Sequence, residues 1–183
     1  MASAIFLAEG FETVEALAVV DLMRRAGLEI QMVSISGQKE VTTSHKITVK
    51  ADKILSEVDW DSLDMMILPG GMPGTKNLEA CDELMKKLDQ FYTNGGRVSA
   101  ICAAPYILAH RGILKGKKAG VYPGYEAELE AGGATVSMSP STWDGRVITG
   151  RGMGCATLFG LDIIESLAGK EKADAIRKAI VLC

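Results

Sequence analysis

Cys102 closes an apolar run, Arg97-Val98-Ser99-Ala100-Ile101, and is followed by Ala103-Ala104-Pro105 and a helix-like stretch from Tyr106 to Arg111. A reactive side chain where a buried strand turns sharply into a helix has the arrangement of a nucleophile elbow. Free N–H groups at a helix start favour a thiolate over a thiol, which would lower the cysteine pKa. Cysteine is also among the most buried residue types and often ends a strand as a small hydrophobe. Position alone leaves both readings open.

Glu15 is the second residue of interest. On a first helix, three-and-four spacing groups it with Val19, Leu22 and Ala26, so its carboxylate sits in an apolar stripe. That is costly unless the group is paired or protonated. It could instead be a first-turn acid that stabilises the helix start, a role Glu12 can fill one turn earlier. A desolvated Glu15 beside Cys102 would stay protonated and donate its O–H to a thiolate. Gly70-Gly71, after Pro69, is either a plain turn or a place where bare backbone N–H groups approach a substrate oxygen. His110 falls eight residues after Cys102, pointing away from the elbow, and reads as structural. His45 falls at the tip of a hairpin and reads as exposed or at a subunit contact.

These residues need strand ends to hold them. Short apolar runs at residues 4–8, 30–35, 65–68 and 98–101 read as strands, with shorter ones near 119–121, 135–137 and 147–149. Helical patterns cover 13–26, 81–92, 125–130, 155–167 and 171–182, and residues 41–55 alternate like a hairpin around Ser44-His45-Lys46. The alternation predicts an α/β domain with a mainly parallel sheet covered on both faces, and ligands bind beyond the carboxyl ends of such strands. Three small-residue loops fall there: Glu9-Gly10-Phe11-Glu12, Gly70-Gly71-Met72-Pro73-Gly74 and Gly150-Arg151-Gly152-Met153-Gly154. The last lacks the Lys-Ser/Thr of a P-loop and the acid of a dinucleotide site, so it reads as a tight strand–helix connection.

The 183 residues fit one domain, 1–183, with 48% hydrophobic and 23% charged residues, an ordinary globular composition. A formal charge of −3 without a basic run gives nucleic-acid binding no support. No apolar stretch reaches membrane-spanning length and no signal pattern opens the chain, which makes a cytoplasmic location the expectation. Cys81, Cys102, Cys155 and Cys183 are scattered and do not space with the histidines as zinc ligands, so no metal site is expected and the thiols should be free.

Several of these stretches together resemble the ThiJ/PfpI superfamily, in the branch of the parkinsonism-associated protein deglycase and its bacterial ThiJ-like relatives. They are Ala8-Glu9-Gly10-Phe11-Glu12-Thr13-Val14-Glu15, Asp21-Leu22-Met23-Arg24-Arg25-Ala26-Gly27, Ile67-Leu68-Pro69-Gly70-Gly71, Ala100-Ile101-Cys102-Ala103-Ala104-Pro105-Tyr106-Ile107-Leu108-Ala109 and residues 150–154. The resemblance covers essentially the whole chain. It implies a flavodoxin-like three-layer α/β/α sandwich, a class I glutamine amidotransferase-like domain and a homodimer. It also implies Cys102 as nucleophile, Glu15 as the protonated acid bonded to it, and the Gly71 and Ala103 amides as oxyanion donors. The activity implied needs no cofactor: methylglyoxal to lactate, or deglycation of early glyoxal adducts. The rival is an oxidative-stress sensor working through a Cys102 sulfinate. One departure matters. The branch commonly carries His-Pro about twenty residues after the cysteine, and here that place is Tyr122-Pro123. A phenol donates a hydrogen bond at neutral pH but is a poor base. His45 corresponds to a basic hairpin residue that reaches the partner subunit's site. Ala103 stands where the protease-like branch has a histidine after the cysteine, so peptidase or amidotransferase chemistry is not expected.

Overall fold

The computed structural model describes residues 2–182; the expected free thiol of Cys183 lies outside them. In chain order the elements are β1 (Ala2–Leu7), α1 (Thr13–Arg25), β2 (Glu29–Ser34), β3 (Glu40–Thr42), β4 (Thr48–Lys50), β5 (Lys53–Ile54) and β6 (Leu63–Leu68). Then come α2 (Gly74–Glu79), α3 (Asp82–Thr93), β7 (Arg97–Ile101), α4 (Pro105–His110), β8 (Lys118–Ala119), α5 (Glu126–Ala131), β9 (Thr135–Val136), β10 (Ser141–Asp144), β11 (Val147–Gly150), α6 (Ala156–Ala168) and α7 (Lys170–Ala179).

The main sheet runs β10-β11-β7-β6-β1-β2-β5, parallel throughout except for the antiparallel β10–β11 pair. Its inner strands are largely apolar on both faces because both are covered. Along β1 the period of two sends Ala4 and Phe6 to one side and Ile5 and Leu7 to the other. The first side packs with Leu78 of α2, Leu84 and Leu88 of α3, Ile107 of α4 and Leu129 of α5. The second packs with Val19 and Met23 of α1, Phe159 and Ile163 of α6 and Ile176 of α7. The result is a flavodoxin-like α/β/α sandwich.

From central β1 the chain winds outward through β2 and β5, then returns to the other side of β1 through β6, β7 and β11. The direction of winding reverses between β1 and β6, and a crevice opens at such a point beyond the carboxyl ends of the strands. The β1–α1 and β6–α2 loops meet there: the Glu12 N–H donates to the Gly70 carbonyl at 2.9 Å and the Gly74 N–H to the Gly10 carbonyl at 3.2 Å. The turn after β7, one strand further on, carries Cys102.

Three elements differ from the sequence expectation. Residues 41–55 are not one excursion, because β3 and β4 form the hairpin while β5 returns to the main sheet beside β2. The six-residue α2 and the polar edge strand β10 are additional. Neither carries the apolar periodicity that marks a longer element.

Candidate functional site

Glu15 is buried because the helix start has another acid to serve it. A carboxylate oxygen of Glu12 accepts the Glu15 N–H at 2.7 Å, which caps α1 and leaves the Glu15 side chain free to turn inward. Glu15 is 1% exposed, and its Oε2 accepts the Gly70 N–H at 3.0 Å. Its pKa is pushed up to about 7, chiefly by burial and further by the charge of Glu12, against the lowering effect of hydrogen bonds from Cys102 and Gly70.

Cys102 sits at the turn from β7 to α4 with a φ of 66°, a conformation costly for a residue with a Cβ. Its N–H donates to the Gly150 carbonyl at 2.9 Å, which fixes it beside the end of β11. The half-buried side chain bonds to Glu15, while the N–H groups of Ala103 and Gly71 donate to its sulfur. Those are the amides that the family resemblance names as oxyanion donors.

The thiol is pushed up to about 12, by burial first, then by the charge of Glu15 and the hydrogen bond to it; the Ala103 and Gly71 amides pull the other way. The expectation of a cysteine pKa lowered by the helix start is therefore corrected. The reason lies in α4. Pro105 has no N–H, and those of Ala104, Tyr106 and Ile107 donate to carbonyls three residues back, leaving Ala103 alone to face the sulfur. Between about pH 7 and about pH 12 the pair holds one proton.

Gly70 makes the pair possible. A Cβ there would lie 2.5 Å from both the Cys102 Cβ and Glu15 Oε2. The sequence leaves Gly70-Gly71 open as a plain turn or a pair of bare N–H donors; the structure divides the two, with the Gly70 N–H on the acid and the Gly71 N–H on the sulfur. Adjacent glycines were the available signal, but not the division of labour.

Tyr122 joins the site through its backbone: its N–H donates to the Cys102 carbonyl at 2.8 Å. Its half-exposed ring lies over Gly152 of the third small-residue loop, where a Cβ would stand 3.3 Å from the ring. His45 is exposed at the β3–β4 turn, its Nδ1 3.1 Å from Ser44 Oγ. Among the described residues it bonds to neither Glu15 nor Cys102, although the adjacent Ser44 N–H, bonded to the Phe11 carbonyl at 2.9 Å, ties this turn to the β1–α1 loop. Cys155, at the start of α6, is half-buried and its N–H is bonded to the Gly152 carbonyl at 2.8 Å. No group of three or more His, Cys, Asp or Glu side chains suited to a metal occurs among the described residues.

A family model described as the DJ-1/PfpI family matches residues 2–166, more than half of the chain. The chain belongs to the DJ-1/PfpI family. It is 34% identical to protein dj-1beta of Drosophila melanogaster over 178 residues, covering 97% of this chain and 95% of that protein. It is 37% identical to protein DJ-1 homolog A of Arabidopsis thaliana over 177 residues, 96% of this chain but 45% of the relative. The chain thus spans less than half the length of the Arabidopsis DJ-1 homologs it matches. Among solved structures, the oxidized DJ-1 of Toxoplasma gondii superposes with a TM-score of 0.93 at 31% identity, covering 98% of this chain and 97% of that one. The Drosophila DJ-1beta crystal structure also gives 0.93, at 32% identity with complete coverage of both chains. The DJ-1 likeness therefore extends across α1, β6 and the β7–α4 turn, the elements that hold Glu15, Gly70 and Cys102.

Proposed function

We propose that the chain is a cofactor-independent, cysteine-dependent enzyme acting on small reactive dicarbonyls, converting methylglyoxal to lactate or removing early glyoxal adducts. The observation that carries this reading is the hydrogen-bonded Glu15–Cys102 pair with two backbone amides aimed at the sulfur. When the shared proton moves to Glu15, Sγ adds to the aldehyde carbon. The carbonyl oxygen takes up the electron pair, held by the Gly71 and Ala103 N–H groups, and is protonated by Glu15. The regenerated Glu15 carboxylate removes the proton from that carbon and returns it to the neighbouring one, while Tyr122 donates to the second oxygen and takes back the proton that the first oxygen releases as it becomes the thioester carbonyl. The resulting thioester is hydrolysed by water, releasing the hydroxy acid and restoring the thiol. Methylglyoxal plus water thus becomes lactic acid with no external oxidant or reductant.

A homodimer belongs to this proposal, with His45 of one copy approaching the partner's site. We place the reaction in the cytoplasm, where thiols stay reduced. A second reading has its own support: the amides that meet the sulfur would also hold the oxygens of a Cys102 sulfinate, with the Glu15 O–H as a third donor, and a close structural relative is described as oxidized. One experiment separates the two. Purified protein is incubated with methylglyoxal without glutathione or metal, and lactate is compared with Cys102→Ser. The enzyme reading expects lactate that disappears in Cys102→Ser and falls roughly 10²–10⁴-fold in Glu15→Gln. Lactate no greater than the Cys102→Ser background, together with two oxygens added to Cys102 by mild peroxide, would replace it with the sensor.

A further inference from the structure

His110 shares a face of α4 with Tyr106, one turn earlier, and it touches two other helices. Its Nδ1 lies 2.6 Å from Oε1 of Glu79, the last residue of α2, and its Nε2 lies 3.1 Å from Oε2 of Glu128 in the first turn of α5. A neutral imidazole carries one N–H, so it can donate to only one of these carboxylates while turning a lone pair toward the other. Both contacts are donations only when the ring is protonated.

The surroundings favour that form. Burial lowers the His110 pKa, but the hydrogen bonds and charges of Glu79 and Glu128 outweigh it and leave the value raised above 6.5. From its own helix, Tyr106 bonds to Glu79; burial first, then nearby charge, pushes its hydroxyl to about 12, so it stays a neutral donor. Tyr125, just before α5, stacks on Tyr106, and Arg111 is engaged by Asp89 of α3.

From this cluster a short chain of contacts leads to Cys102. The Tyr106 ring lies 5.1 Å from the His110 ring and 5.7 Å from the Tyr125 ring. The Glu128 N–H donates to the Tyr125 carbonyl at 3.1 Å, the Tyr125 N–H to the Tyr122 carbonyl at 3.2 Å, and the Tyr122 N–H to the Cys102 carbonyl at 2.8 Å. The helices tied by His110 follow the loops that bear Gly71, Cys102 and Tyr122.

We infer that His110 is a positioning residue: its imidazolium braces α2 and α5 against α4 and so holds the Tyr122 loop on Cys102, and loss of its proton frees α5. The brace is complete below the ordinary histidine value and is lost as pH rises through the higher value of the folded protein. Its bearing on catalysis rests on the dicarbonyl reading of Tyr122, so the test reads backbone protection rather than turnover. Hydrogen exchange of amides 122–131 is followed in the full chain at about pH 6 and about pH 9, normalised for intrinsic exchange. Relative to β1 and β6, whose fall follows the Glu15 titration, wild-type protection is expected to drop about tenfold between the two as one charge-assisted bridge is lost. In His110→Gln it should be low at both values, and in Glu128→Gln the His110 ring, followed by NMR, should titrate at lower pH than in wild type. Wild-type protection that does not change with pH relative to β1 and β6 would overturn the inference. So would an equal fall in His110→Gln, because the pH response would then belong to another group. Absence of lactate formation would remove the dicarbonyl reading and leave this result standing.

Discussion

At the scale of single residues, the site depends on a carboxyl that folding makes harder to ionise. Glu15 ionises near 4.5 when unperturbed and near 7 in the folded chain. Across that window the folded protein holds a proton that the unfolded chain has released, so stability falls as pH rises from about 4.5 to about 7. The shift corresponds to about 3 kcal/mol in all. Glu15→Gln removes the titration. Urea unfolding should therefore show the variant gaining on wild type by about 3 kcal/mol between about pH 4.5 and pH 8, while it loses lactate formation. Equal pH dependence in the two proteins would mean that Glu15 is not the group being desolvated. Cys102 and Glu15 stood out in the sequence, one by its strand-end position and the other by its place in an apolar stripe, but only the family resemblance joined them as a pair. The direction of the thiol's shift was not, because it depends on which N–H groups at the start of α4 are already engaged.

At the scale of elements, the site is a packing problem between the β6–α2 loop and the β7–α4 turn. Gly70 lets Glu15 and Cys102 meet across the backbone, where a Cβ would stand 2.5 Å from each. Gly70→Ala should separate them, costing about 1–3 kcal/mol in urea unfolding and abolishing Cys102-dependent lactate. A variant with wild-type stability and turnover would show that the close approach is not required. The long strands and helices were readable because each buries a periodic apolar face. Three short elements were not: α2 is set by its loop, β5 contributes two residues beside β2, and β10 is a polar edge strand. Such elements are specified by neighbours distant in sequence rather than by their own pattern.

At the scale of the whole molecule, the order of strands brings loops distant in sequence to one end of the sheet. The reversal between β1 and β6 sets the Glu15 helix beside the Gly70 loop, and the β7–α4 turn adds the thiol. The overall α/β order was readable from the chain; the junction of these loops required the sheet. His45, exposed on the hairpin, fits the proposed dimer. Light scattering should give twice the chain mass, and His45→Ala should lower lactate formation about tenfold without moving the unfolding midpoint. A monomer with full activity would remove the partner's residue from the site. What this topology finally assembles is one proton shared between Glu15 and Cys102, and the rate of Cys102 alkylation by iodoacetamide against pH reads that proton most directly. The rate should rise through a midpoint of about 7 and then level off, with the midpoint absent in Glu15→Gln. A wild-type rate that keeps climbing through the ordinary thiol range, or a midpoint unchanged in Glu15→Gln, would contradict the shared proton on which the account rests.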